Sequence, residues 1–254
     1  MIYVYTSIVN GWDNLRPPLV VSNSENVRYL CFTNLPNLPC VGPWQYRSLP
    51  DLGSGCRSAR LPKILPHLML PADAECSIYH DGNFQLRVLP EQIIADLLTS
   101  ADWAAHRHPA RDCIYSEAEI LLQERIGTAE LINRQIARYR DDGYPEHAGL
   151  WANGLLVRRH TSRTVRLACE EWWKEFAAGC ERDQVSFPPA RRRIGLEVHA
   201  IEAHISESPL MQFSWHAAFK KPCDDLFSPA RQRAREQLAD LRMLTGLRNM
   251  EMPV

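Results

Sequence analysis

The fold is decided by residues 76–86, which have the sequence CSIYHDGNFQL. The run begins with apolar and aromatic residues of the kind that form a buried strand. Asp81, Gly82 and Asn83 follow, and residues of these types favour a tight turn because they tolerate its backbone angles. The stretch therefore predicts a buried strand that ends in a turn carrying two oxygen-bearing side chains.

Strands and helices alternate on both sides of this stretch. Strands are predicted at residues 2–9, 27–32, 76–86 and 149–158, with a further short one within 191–199. Helices are predicted at residues 57–70, 91–99, 116–139, 164–178 and 228–247. Pro62 and Pro66 should kink or break the first helix, and the proline-rich residues 36–50 exclude a regular helix or a central strand. This alternation predicts an α/β fold with a mostly parallel central sheet.

Length, charge and cysteine content limit the class of protein. The chain has 254 residues, which suits one α/β domain at residues 1–225 followed by a basic amphipathic helix at 226–254. A formal net charge of −1 gives no reason to expect a nucleic-acid partner. We expect a soluble, cytoplasmic protein, because there is no apolar run of about 18 residues and the cysteines form no C-x-x-C pair. The C-terminal helix leaves a peripheral membrane contact open, and the sequence does not define the oligomeric state.

The Asp-Gly-Asn turn is a candidate metal site. Asp81 and Asn83 offer two oxygen ligands around one spacer residue, and Mg²⁺ or Mn²⁺ commonly shares such ligands with substrate phosphates. A plain turn between two strands explains the same residues. Further along, His216 could bind a transition metal, and Lys220 and Lys221 could neutralise a diphosphate. A half-buried histidine beside two solvated lysines is the alternative there.

Two further segments carry candidate ligands. Asp183 and Gln184 stand at a predicted helix start, where they could hold sugar hydroxyls or act at an anomeric carbon. An aspartate that only caps the helix explains this pattern equally well. Arg57, Arg60 and Lys63 lie three residues apart on one helical face and could bind phosphates, although a solvated basic face is the commoner arrangement.

Several widespread catalytic motifs are absent from the sequence. It contains no G-x-G-x-x-G, no P-loop, no G-x-S-x-G and no H-E-x-x-H. These absences argue against the dinucleotide, P-loop, α/β-hydrolase and zinc-protease chemistries that the motifs mark.

Taken together, the segments resemble a family of glycosyltransferase-like domains known from plant mucilage synthesis and from bacterial polysaccharide loci. The matching pieces follow the family's order over roughly residues 1–200: MIYVYTSIVNGWDNL, YLCFTN, RSARLPKILPHLML, SIYHDGNFQL, HPARDCIYSEAE, GYPEHAGLWANGLLVRRH and EEWWKEFAAGCERDQVSF. Residues 216–222, HAAFKKP, are similar to the H-x-x-x-x-K-P motif of retaining GT-A enzymes of the glycogenin and galacturonosyltransferase type.

The resemblance implies a GT-A-like fold and a role for each candidate residue. It implies that Mn²⁺ or Mg²⁺ lies under a UDP-sugar donor and is held by Asp81, Asn83 and His216. It implies nucleotide contacts from Thr6, Ser7 and Asn10, and phosphate contacts from Arg60, Lys63 and Lys221. It implies that the sugar is bound and the reaction catalysed by Asp183 and Gln184. Because Asn83 replaces the second aspartate of the family's motif, metal binding should be weakened.

The implied activity is transfer of a sugar from a nucleoside diphosphate sugar, with UDP favoured, to a saccharide or glycolipid acceptor, with retention at the anomeric carbon. Two other functions stay open. A metal-dependent hydrolase would use Asp81, His216 and Asp183 to activate water. A non-catalytic carbohydrate-binding protein would bind glycan without turning over a sugar nucleotide. Asn83 is consistent with this function, because an amide stands where the family has its second aspartate.

Overall fold

The computed structural model describes residues 1–36 and 38–214, and a seven-stranded sheet lies at its centre. The strands of this part of the chain are β1 (Ile2–Ile8), β2 (Val27–Thr33), β3 (Trp44–Ser48), β4 (Cys76–His80), β5 (Phe84–Leu86), β6 (Trp103–Arg107), β7 (Trp151–Arg159), β8 (His199–Ile201) and β9 (Met211–Phe213). The central sheet has the order β3-β2-β1-β4-β7-β6-β8, and β5 pairs with β9 in a small antiparallel sheet.

Among the seven strands described in the central sheet, β7 alone runs against its neighbours. It is antiparallel to β4 and β6, whereas the pairs β1–β2, β1–β4, β2–β3 and β6–β8 are parallel. The carboxyl ends of β1, β4 and β6 therefore meet the amino end of β7 at one edge. This arrangement confirms the predicted α/β class with a mostly parallel sheet. Open sheets of this kind bind ligands beyond the carboxyl ends of their strands.

Seven α-helices of the described residues flank the sheet. They are α1 (Gly55–Ile64), α2 (Pro66–Met69), α3 (Pro90–Leu97), α4 (Ile114–Gln123), α5 (Ala129–Asp141), α6 (Arg163–Ala178) and α7 (Asp183–Ile194). The helix predicted at residues 57–70 is divided between α1 and α2 at Leu65. The predicted break is confirmed at Pro66, which has no N–H to continue the helical hydrogen bonds and disfavours helical angles at the residue before it. Pro62 does not break the helix, since α1 continues through it.

Two element predictions are wrong in detail. The single helix predicted at residues 116–139 is two helices, α4 and α5, joined by a loop in which Gly127 has a φ of +86°, a conformation that favours glycine. Most of the span 191–199 is not a strand, because α7 continues to Ile194 and β8 begins only at His199. The strand β6 was not predicted, since its five residues are too few to show a clear period.

The sheet face toward α1, α6 and α7 is packed with aromatic side chains. Trp103 of β6 stacks on Phe187 of α7 with ring centroids 5.1 Å apart. Trp172 of α6 approaches the same ring to 4.7 Å, and all three side chains are fully buried. Aromatic contacts of this kind add to the free energy gained from burial, so the start of α7 is fixed against the sheet.

Residues 215–254 lie outside the described part of the chain. They include His216, Lys221 and the helix predicted at 226–254, so the placement of these residues stays a prediction. Within the described residues, no helix has the length and the apolar composition that a membrane span requires.

Candidate active site

A buried lysine lies at the centre of the candidate site. Lys63 is in the last turn of α1, and only 2% of its side chain is exposed. Its Nζ lies 2.6 Å from Asp183 Oδ2 and 3.2 Å from Asp81 Oδ1. A buried ammonium is costly unless carboxylates compensate it, so this lysine fixes both aspartates in place.

Asp81 directly follows β4 and is held from three sides. Its N–H donates to the Gly154 carbonyl oxygen over 2.9 Å, and the Tyr79 hydroxyl donates to its Oδ1 over 2.8 Å. Burial alone would raise the pKa of the Asp81 carboxyl, but Lys63 and Arg60 outweigh it and leave the pKa below its usual value. The side chain is 31% exposed, so this ionised carboxylate remains open to a ligand.

Gly154 makes room for the Asp81 carboxylate. A Cβ on this glycine would lie 3.3 Å from Asp81 Oδ2 and 2.8 Å from the Ile205 side chain. Any larger residue would therefore push against the carboxylate, which explains a glycine inside the buried strand β7.

Asp183 is the first residue of α7, and it does not cap the helix. The N-cap is Arg182, and the structure shows no side-chain capping bond there. The carboxylate instead binds Lys63, with Arg60 Nε 3.4 Å from the same oxygen. Burial would raise the pKa of Asp183, but the charges of Lys63 and Arg60 hold it well below its usual range. Asp183 is thus ionised at neutral pH, which makes it a weak base but a strong electrostatic partner for positive charge.

The nucleotide residues predicted on β1 divide between two places. Ser7 donates to the Ala59 carbonyl oxygen over 2.7 Å and so lies against α1, beside the charged cluster. Thr6 is fully buried and, like Val4 two residues before it, lies on the opposite face of the sheet from Ser7, away from that cluster. Asn10 is exposed beyond the strand end, where its amide pairs with Asn34 over 2.7 Å.

Gln184 and Asn83 lie at the margin of the cluster. Gln184 is partly exposed, and its Oε1 accepts from Arg182 over 3.4 Å. Asn83 is buried in the turn from β4 to β5, and its carbonyl oxygen accepts from Ser214 N over 2.9 Å. The structure thus brings Arg60, Lys63, Asp81 and Asp183 into direct contact, whereas these two amides flank them.

Sequence reasoning missed Asn153 as a neighbour of this cluster. Its side chain is buried, and its Nδ2 donates over 3.2 Å to the Asp183 carbonyl oxygen. The Trp172 indole donates to the same oxygen over 3.2 Å. An Asn-Gly pair inside an apolar strand, at residues 153–154, was the signal that could have revealed this position.

The cluster suits a hard divalent cation only in part. Asp81 and Asn83 carry oxygen donors, which Mg²⁺ and Mn²⁺ prefer. Asp81 Oδ1 already accepts from Tyr79 and Lys63, so Oδ2 is the carboxylate oxygen left to face a cation. Within the described residues, no group of three or more His, Cys, Asp or Glu side chains is placed to hold a metal. These residues therefore supply at most part of the ligands that such a cation requires.

Removing the charge of Lys63 should destabilise the protein in a pH-dependent way. Lys63→Met removes the cation that contacts both carboxylates, leaving Arg60 to compensate them, and should lower the free energy of unfolding at pH 7 by about 3–5 kcal/mol. Both carboxyls have a lowered pKa when folded, so their stabilisation is complete above the unfolded pKa of about 4 and is lost as the pH falls further. The difference in the free energy of unfolding between the variant and the wild type should therefore be smaller at pH 3 than at pH 7.

Urea denaturation at both pH values measures this difference. Lys174→Met is the matched control, since Lys174 is 42% exposed and pairs with Glu171 of its own helix. It should change the free energy of unfolding by less than about 1 kcal/mol. Equal effects of the two substitutions at pH 7 would show that Lys63 does not carry a buried charge.

One family of known proteins matches more than half of this chain. The family model for the TOD1/MUCI70, glycosyltransferase-like domain matches residues 41–207, well over half of the chain. Among solved structures, the apo form of mouse xyloside xylosyltransferase 1 is 9% identical, with 79% of this chain and 84% of that chain covered and a TM-score of 0.41. No curated protein matches the chain. The family match shows that the chain belongs to the TOD1/MUCI70 glycosyltransferase-like domain family.

Proposed function

We propose that this protein transfers a sugar from a UDP-sugar donor to a saccharide or glycolipid acceptor in polysaccharide or glycoconjugate synthesis. Membership of a glycosyltransferase-like family supports glycosyl transfer in general. The observation that carries the finer proposal is the contact of Lys63 with both Asp81 and Asp183 at the ligand-binding edge of the sheet. Glycosyl transfer needs negative charge near the sugar and positive charge near the leaving diphosphate, and this cluster supplies both.

The residues of the cluster divide these tasks. Asp183 stabilises the positive charge that develops on the sugar, and Gln184 beside it binds a hydroxyl. Arg60, whose side chain is 25% exposed, faces the diphosphate together with Lys221. Lys63 lies between the two carboxylates and, by its positive charge, favours their ionised form.

The nucleotide and the cation have candidate ligands outside the charged cluster as well as within it. Ser7 and Asn10 are the residues at the end of β1 that we assign to the nucleotide, whereas Thr6 faces the other side of the sheet. A bound Mn²⁺ or Mg²⁺ would supply positive charge against the leaving diphosphate, held by Asp81, Asn83 and His216. We propose retention at the anomeric carbon from the likeness of residues 216–222 to the retaining enzymes.

A hydrolase fits the site less well. Its water would need a general base, and a carboxylate with a strongly lowered pKa accepts a proton poorly. A hydrolase would also release UDP at the same rate with and without acceptor, whereas a transferase releases it fast only with acceptor. A non-catalytic carbohydrate-binding protein would release none under either condition.

The first prediction of this proposal is selective binding of UDP. UDP with Mn²⁺ at about 100 times its dissociation constant should stabilise the protein by about 2.7 kcal/mol, which corresponds to a rise in Tm of about 5–10 °C. A thermal-shift series with UDP, GDP and CDP, each with and without Mn²⁺, measures the effect. Unchanged Tm values for all three nucleotides at millimolar concentration would refute the donor site.

The second prediction concerns the charge of Asp183. Asp183→Asn keeps the side-chain shape but removes the charge, so kcat should fall by about 10²-fold or more while the affinity for UDP changes little. The variant is assayed below its own Tm with the UDP-sugar that the wild type turns over fastest. Asp102→Asn is the control, because Asp102 is 44% exposed and pairs with Arg159 at the surface. A kcat near that of the wild type would remove Asp183 from the active site.

A further inference from the structure

Arg158 of β7 is a buried cation that has no carboxylate partner in the part of the chain that the structure describes. Its side chain is fully buried, and no carboxylate among the described residues forms an ion pair with it. A buried guanidinium in this setting is costly, and an aliphatic side chain could fill the same space. The interactions that Arg158 does make must therefore account for its presence in the core.

The guanidinium contacts one backbone group of the candidate site and three side chains of the core. Nη1 donates to the Lys63 carbonyl oxygen over 2.7 Å, and Nη2 donates to the Tyr5 hydroxyl. The guanidinium lies 4.9 Å from the centre of the Trp103 ring, and Nη1 lies 3.8 Å from Cys169 Sγ. Arginine over an aromatic ring is favourable when buried, so the ring partly offsets the loss of water.

Two histidines near Arg158 stay neutral. Burial, and then the charge of Arg158, lower the pKa of His67 to about 4 and that of His160 to about 3. At neutral pH they add no charge of either sign around the guanidinium. The strongest directional contacts of Arg158 are thus those with Lys63 and Tyr5.

The Lys63 carbonyl needs a donor because α1 stops early. The last carbonyls of a helix have no partner four residues ahead once the helix ends. Pro66 ends α1 by forcing Leu65 out of helical angles, to φ −114° and ψ 55°. The Leu65 N–H bonds to the Leu61 oxygen, and Arg158 supplies a donor to the Lys63 oxygen.

We propose that Arg158 is a positioning residue for the active site. By holding the backbone of Lys63 at the end of α1, it keeps the ammonium between Asp81 and Asp183. This role rests on the proposed function only in its effect on turnover, because the placement of Lys63 can be measured without a substrate. Arg159, the next residue, is a matched control on the same strand, since it pairs with Asp102 at the surface.

Amine labelling reports directly on Lys63. The chain has four lysines, at positions 63, 174, 220 and 221. In the folded wild type, reductive methylation followed by peptide mass spectrometry should modify Lys63 far more slowly than Lys174, which is 42% exposed. In Arg158→Met, labelling of Lys63 should accelerate about tenfold or more, because its helix end opens locally.

The controls separate local release from loss of the fold. Arg159→Met should leave Lys63 protected, and Arg158→Lys should restore part of the protection through one remaining donor. Circular dichroism and a cooperative thermal transition identify a folded variant, and the exposed Lys174 serves as the reference for the labelling rate. If Arg158→Met fails to fold, the comparison of Arg158→Lys with the wild type takes its place. Unchanged protection of Lys63 in a folded Arg158 variant overturns the proposal.

Turnover provides the second readout. Arg158→Met should lower kcat at least about tenfold with little change in the KM for the UDP-sugar, and should have little further effect in a Lys63→Met background. If the double variant shows the full sum of the two single losses in activation free energy, the proposal is overturned, because residues that act independently have additive effects. A wild type that neither binds UDP nor turns over a UDP-sugar contradicts the proposed function instead, while the labelling result still decides the role of Arg158.

Discussion

One buried ammonium group sets the geometry of the whole site. The ammonium group of Lys63 is buried in the core. A buried ammonium is stable only where carboxylates form ion pairs with it. The two that do, Asp81 and Asp183, are about a hundred residues apart in the chain and belong to different elements. The ion pairs therefore join the end of β4, the end of α1 and the start of α7 at one point.

The residues around this contact position the groups that form it. Phe187 and its aromatic neighbours fix α7 against the sheet, and Pro66 ends α1 immediately after the lysine. Gly154 leaves the space that the Asp81 carboxylate occupies. Phe187 fills a core position, whereas Pro66 interrupts a helix and Gly154 interrupts an apolar strand. Together these residues allow charged groups to lie in a region that an apolar core would otherwise occupy.

Charge balance relates this architecture to glycosyl transfer. Lys63 and Arg60 face Asp81 and Asp183, so the cluster is close to neutral before a ligand arrives. The carboxylates remain ionised because the cations outweigh the effect of burial on their pKa values. The transition state of the proposed reaction separates charge between the sugar and the diphosphate, and fixed charges of both signs stabilise it without rearrangement.

The sequence allowed the local elements to be predicted better than their contacts. Residues 76–86 predicted a strand and a turn correctly, because apolar runs and Asp-Gly-Asn are local signals. Arg60 and Lys63 were expected on one face of a helix, but nothing local indicated that Lys63 would be buried between two aspartates. That contact depends on how α1 and α7 pack, which no spacing in the sequence encodes.

Other features were hidden for different reasons. Asp183 could not be separated from a helix cap, because both roles place an aspartate at a helix start. The break between α4 and α5 was missed because the apolar spacing continues on both sides of Gly127. Asn153 lay inside a predicted strand, where a polar residue shows its role only once its partner across the fold is known.

The most direct test of the account is a carbon-13 NMR titration of the Asp183 carboxyl, assigned by its absence from Asp183→Asn. A carboxylate clamped by Lys63 and Arg60 should remain ionised well below the ordinary aspartate pKa of about 3.9, until the protein unfolds. Titration of Asp183 in the folded protein near that ordinary value would contradict the buried ion pair and the site built around it.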